Sequence, residues 1–274
     1  MTAKKQTPTK TFKSNSIFVW LIGGIGLLFL TLPIVALILR AIENRAWQSV
    51  EAAVIPEAVY LSFITTLLTV LLTAAFGTPL AYLFARFRFP FKRLLNVLIE
   101  LPIVMPPAVA GLALLVTFGR RGLLGPVLDD LGIRLSFSGI AVVMAQTFVA
   151  APFFIRAAQI GFQAVSREIE DAARVDGADG LALFFRITLP LSSRSLSAGL
   201  ILCWARALGE FGATILFAGN SEGRTRTMTL LVYTLFEGDL DAAVWTGLLL
   251  IALALMALMA SQWLAHKATN DESE

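Results

Sequence analysis

The sequence predicts an all-α, polytopic membrane protein with six transmembrane helices and both termini cytoplasmic. Three observations predict it. The chain of 274 residues is 57% hydrophobic and only 15% charged, with mean hydropathy +0.77, outside the range of ordinary soluble domains. Uncharged or nearly uncharged runs near 20 residues, the length that crosses a hydrocarbon core of about 30 Å as a helix, recur from end to end. Lys and Arg are unevenly shared between alternate connections, which orients the spans.

A polar tail, residues 1–16, carries Lys4, Lys5, Lys10 and Lys13 and no acid. The membrane domain is expected over 17–265, followed by a second cytoplasmic tail, 266–274. The first span, 17–39, is uncharged and stops at Arg40. It is too long for a signal-peptide core and lacks a small-residue cleavage site, so it reads as a retained anchor. The second span is expected over 58–84 and the third over 94–118. The third holds Pro102, Pro106 and Pro107, whose missing amides break the helical ladder. Irregular backbone inside a membrane is tolerated only against protein or a wet cavity, so these prolines mark either a packing kink or a pore lining. Glu100, just before them, reads as an interfacial or paired residue. The fourth, fifth and sixth spans are expected over 137–155, 196–219 and 242–264. The apolar stretch 227–236 is too short to span and reads as a re-entrant or packed extracytoplasmic segment.

Counting Lys and Arg by side gives 14 with the tails and the connections carrying Arg86, Arg88, Lys92, Arg93 and Arg156, Arg167, Arg174, Arg186, Arg194, against 7 on the other side. This places the long connection 157–195 in the cytoplasm. The same inventory excludes several function classes. The one cysteine, Cys203, rules out a disulfide framework, and the one histidine, His266, rules out a multi-histidine metal site. No G-x-x-x-x-G-K-[ST] run is present, so the chain carries no phosphate loop of its own. No basic run beyond residue 13 suggests nucleic acid.

The connection 157–195 has internal structure. Ser166 can cap a helix whose first turn holds Glu168, Glu170 and Asp171, acids that favour a helix N-terminus. Ile169, Ala172, Ala173 and Asp176 fall at i, i+3, i+4 and i+7 and share one face, flat enough for another protein to approach. Gly177 and Gly180 supply a turn. A second short helix is expected over 181–186, ended by Pro190. The plain alternative is a connecting loop with solvated charges.

Asp171-Ala172-Ala173, Gly177, Ile187 and Leu189-Pro190 together resemble the EAA loop of prokaryotic ABC-import permeases, with Asp171 where the family usually has Glu. The resemblance implies that Glu168, Glu170, Asp171, Ala172, Ala173, Asp176, Gly177, Ile187, Leu189 and Pro190 form a docking site for a separate ATPase. The stretches 101–111 with 118–122, and 205–214 with 217–225, are similar to the permease subunits of molybdate ABC transporters, with sulfate/thiosulfate permeases as close relatives. That similarity covers about residues 55–265. It implies a multi-pass protein of a prokaryotic inner membrane, working as a homodimer with two ABC ATPase subunits and an extracytoplasmic oxyanion-binding protein. ATP and Mg would be bound by the ATPase and no cofactor by this chain, which is therefore not expected to be an enzyme. The cargo would be molybdate or tungstate, with sulfate as the alternative.

Arg206 and Glu210 are the charge pair of the fifth span, spaced i,i+4 so that they can meet on one helix face. They fit either a pathway or dimer seam or a self-neutralised pair within the bundle. Gly209 and Gly212 permit close helix approach, and Thr214 and Asn220 offer neutral donors. With Pro102, Pro106 and Pro107 these are the pathway or dimer-seam candidates. Only Arg206 lies mid-span, so convergent cations for a dianion are lacking, which points to a low-affinity passage with selection made by the binding protein. An ion-coupled secondary transporter, using Glu210 and the proline-broken span, is the competing class.

Overall fold

A computed structural model describes residues 16–49 and 54–271. The tail residues 1–15 and 272–274 lie outside it. The described chain is helical, without strands: α1 (Ser16–Glu43), α2 (Val54–Arg86), α3 (Lys92–Val104), α4 (Pro107–Phe118), α5 (Gly125–Asp130), α6 (Gly139–Ala164), α7 (Arg167–Val175), α8 (Gly180–Leu183), α9 (Leu189–Leu208), α10 (Gly212–Phe217), α11 (Met228–Phe236) and α12 (Leu240–Asp271). A short 3-10 turn, Ala46–Gln48, follows α1, and a π turn, Phe184–Thr188, joins α8 to α9.

Among the described residues, three helices are long and apolar enough to cross a membrane by themselves: α1 from Phe18, α2 and α6. The first apolar run leaves all its sides open, as expected of a helix wrapped by lipid. Its far end is tied to α12 by Arg40 Nε donating to Asp241 Oδ1 at 2.8 Å and by edge-on contact of Trp47 with Trp245.

The third expected span is corrected. Residues 94–118 are not one rod: α3 and α4 meet at 116°. Pro106 forces Met105 out of the helical region (ψ 131°), and Pro107 does the same to Pro106 (ψ 132°), because a residue before proline is pushed to extended backbone. Pro102 is accommodated inside α3. The fifth expected span is corrected too. Its helix starts seven residues earlier, at Leu189, and breaks at 209–211 before α10. Pro190 ends nothing. The π turn just before it widens the coil where a proline ring and a missing amide would disturb a regular α-helix.

α6 is the centre, packed against α9 and α2 around Ala81, Ala150, Phe154, Ala158, Phe162, Leu196 and Cys203. Small residues bring these helices together. A methyl on Gly199 would lie 2.8 Å from Ala157 Cβ, and one on Gly161 2.5 Å from Ser195 Cβ. Thr65, Thr66, Thr69 and Thr73 of α2 are all buried, and Thr69 donates to Gln146 Oε1 on α6 at 3.1 Å. The stretch 227–236 forms α11, packed on α12 and α2, with the Met228 amide donating to Ser62 Oγ at 2.8 Å.

Candidate docking loop and pathway residues

α7 begins as its sequence dictates. The Ser166 hydroxyl accepts from the Glu168 amide at 3.2 Å. The helix ends at Gly177, whose φ of +92° is the left-handed backbone that closes a helix. The Ala178 amide donates to Ala173 O at 2.9 Å. Asp179 then caps α8, accepting from the Ala182 amide at 2.9 Å. That cap went unpredicted, although an Asp two residues before an apolar stretch is a start signal.

The two faces of α7 differ sharply. Arg167, Glu170, Asp171 and Arg174 line a cavity of about 190 Å³ shared with Tyr82, Arg86 and Phe87 of the α2 end. The opposite face stays open: Ile169 is 47% exposed, Ala172 and Asp176 are exposed, and Ala173 is half-buried. Val175 and Leu181 beside it are 88% and 73% exposed. Glu168 points outward, and Asp171 pairs with Arg174 at 2.6 Å on the surface. Ile187 and Leu189 are half-buried and Pro190 is exposed.

Glu170 departs from the docking set that the resemblance implied, because it does not lie on the open face of α7. Its side chain is 5% exposed and turned inward. Oε1 accepts from Arg86 Nη2 and from Thr188 Oγ1, each at 2.8 Å, while the same Arg86 nitrogen donates to Val165 O at 3.0 Å. Glu168 and Glu170 lie about 200° apart around the helix, so only one of them can face α2.

The pathway candidates fall into two groups. Pro107, Gly212 and Glu210 come together where α4 crosses α10. A methyl on Gly212 would lie 2.8 Å from Pro107 Cβ, and one on Gly111 2.7 Å from Ala213 O. Gly111 was not singled out in the sequence, yet it is half of this crossing. Glu210 lies in the break after α9, so the pair does not share a helix face as expected. Arg206 Nη1 still reaches Glu210 Oε2 at 2.6 Å, with Glu210 only 1% exposed, and Glu210 Oε1 accepts from the Ala213 amide at 2.8 Å. Arg206 thus sits at a helix C-terminus and Glu210 at a helix start, each on the favourable side of the backbone dipoles.

The remaining candidates lie apart. Gly209 makes no close approach to another helix; a methyl placed on it would meet only Ala205 O of its own helix, 3.7 Å away. Thr214 is fully buried. Asn220 is engaged within the chain, donating to Thr234 Oγ1 at 2.8 Å and accepting from Arg226 Nε at 3.2 Å, so it is not a free donor. Pro106 is exposed and Pro102 buried. Glu100 is paired with Arg156 and accepts from Asn96 Nδ2 at 3.1 Å.

A family model described as "Binding-protein-dependent transport system inner membrane component" matches residues 77–269. The chain is 42% identical over 213 residues to the molybdenum transport system permease protein ModB of Escherichia coli (strain K12), covering 77% of this chain and 93% of that one. It is 32% identical over 251 residues to the probable sulfate transport system permease protein cysT of Zygnema circumcarinatum, covering 89% and 86%. A chain of the bacterial alginate ABC transporter, solved in complex with an alginate pentasaccharide-bound periplasmic protein, shares the fold with TM-score 0.76 at 15% identity, covering 95% of this chain and 99% of that one. The chain belongs to the family of binding-protein-dependent transport system inner membrane components.

Proposed function

We propose that this chain is the permease subunit of an ATP-driven importer that passes molybdate or tungstate from an extracytoplasmic binding protein to the cytoplasm. It works as a homodimer, with two ATPase subunits that bind ATP and Mg. The observation that carries the cargo is the 42% identity to a molybdenum permease across 93% of that protein, against 32% to a sulfate permease.

Two features of the chain support the mechanism. The open face of α7, with Ile169, Ala172 and Ala173 and with exposed Val175 and Leu181 beside it, is an apolar surface on a charged loop, the kind of patch that marks a protein contact. We assign it to the ATPase, with Glu168, Asp171, Asp176 and Gly177 at its rim. The passage itself offers an anion little to hold: the mid-bundle Arg206 is neutralised by Glu210 at 2.6 Å. Cargo selection then falls to the binding protein. ATP binding and hydrolysis bias two arrangements of the helices, and the α4–α10 crossing beside Glu210 is the element of the passage we expect to move.

Competition separates the cargoes. In proteoliposomes holding the complete complex, labelled molybdate uptake should be suppressed by unlabelled tungstate and unaffected by sulfate. Uptake of labelled sulfate would move the chain to the sulfate importers and overturn the cargo.

A further inference from the structure

We infer that Glu170 is the positioning residue that joins the docking helix α7 to helices α2, α6 and α9, a role that rests on the docking function proposed for α7. α7 is a short helix of 9 residues held between two turns. One is the extended Val165–Ser166 link and the other the left-handed Gly177. A helix suspended in this way would swivel under a push on its open face unless something tied its side to the bundle.

Glu170 supplies that tie. Among the described residues, its bonds are the side-chain hydrogen bonds or ion pairs that run from α7 to another helix or the π turn; the Asp171–Arg174 pair and the Ser166 cap stay within the loop. One carboxylate oxygen gathers Arg86 Nη2, at the end of α2, and Thr188 Oγ1, at the start of α9, both at 2.8 Å. Arg86 extends the joint to the end of α6 through Val165 O at 3.0 Å. The pair is dry, with side chains 10% and 5% exposed, where charged hydrogen bonds are strong and directional.

The π turn is part of the same device. One extra residue in a helical turn rotates everything after it by about 100° relative to a regular α-helix. Phe184–Thr188 is the turn that brings the Thr188 hydroxyl round to Glu170. A regular helix from Gly180 onward would aim Thr188 elsewhere and leave the joint with one helix fewer. Glu170 does not touch the cargo or the nucleotide. It fixes the direction in which α7 can push.

The test uses the complete complex in proteoliposomes and reads two quantities: molybdate moved per ATP hydrolysed, and ATPase retained by the purified permease. Glu170→Gln keeps shape and removes charge, and Thr188→Val removes one donor at equal volume. Both should leave ATPase retention at the wild-type level, because the open face of α7 is untouched. The transport ratio should fall about tenfold for Glu170→Gln, within the usual range of coupling effects, and by less for Thr188→Val. The charge exchange Glu170→Arg with Arg86→Glu should recover part of the ratio. A wild-type ratio in both single variants overturns the inference, as does a fall in uptake that merely follows lost ATPase retention. Absence of ATP-dependent uptake in the wild-type complex would instead sink the docking function on which the inference rests.

Discussion

Replacing Arg206 by methionine removes the guanidinium and keeps most of the length of the apolar stem. Glu210 is left 1% exposed, with Oε1 still bonded to the Ala213 amide and Oε2 deprived of its cation. Breaking a buried ion pair from one side costs about 3–5 kcal/mol, because the remaining charge stays out of water. Arg206 is 27% exposed, so water can reach the vacated side, and the lower end, about 3 kcal/mol, is expected. At about 2–4 °C per kcal/mol for a chain of this size, the melting transition in detergent should fall by on the order of 10 °C. Unfolding of such a protein is commonly irreversible, so variants are compared at one scan rate. Adding Glu210→Gln removes the stranded charge while retaining an acceptor for Ala213, and the double variant should regain more than half of the loss. A single variant within about 2 °C of wild type, or a double variant less stable than the single, would mean that the buried pair does not hold this break together.

Other outcomes follow from the close contacts and the loop. Gly111→Val drives its side chain into Ala213 backbone atoms at 2.7–2.8 Å and should cost at least about 1–3 kcal/mol, seen as reduced detergent stability. Gly209→Ala, with ordinary backbone and open surroundings (φ −83°), should stay within about 0.5 kcal/mol of wild type. Gly177→Val strains a left-handed turn (φ +92°) by about 1–3 kcal/mol, and Ala173→Asp places a charge against the docking face. Both should lower ATPase retention on an affinity column while the permease still inserts in the membrane; full retention would count against the docking assignment.

Much of this fold was legible because the features that specify it are local. Ser166 capping α7, Gly177 ending it and the apolar runs of α1, α2 and α6 each follow from residues next to one another in the chain. The breaks were half legible. Three prolines announced irregular backbone, but the 116° bend comes from two of them being consecutive, a stereochemical rule that hydrophobicity does not see. The site was less legible where partners are distant. Glu170 looked like its neighbour Glu168, and only Arg86, 84 residues earlier, decides which carboxylate turns inward. The i, i+3, i+4, i+7 series Arg167, Glu170, Asp171, Arg174 shares one helix face, but a charged face ordinarily meets water, so the series alone does not mark Glu170 as buried. Gly111 and the π turn carried no signal of their own. Each is defined by what crosses it.

The property that matters most is ATP-driven passage of an oxyanion through this chain. The most direct measurement is molybdate accumulation in proteoliposomes bearing the chain, its ATPase and the binding protein, with ATP inside, outside or absent, and with ion gradients collapsed. Accumulation is expected only when ATP is on the ATPase side, unchanged by collapsing the gradients. Accumulation that ignores ATP and follows an ion gradient would instead make the chain a secondary transporter.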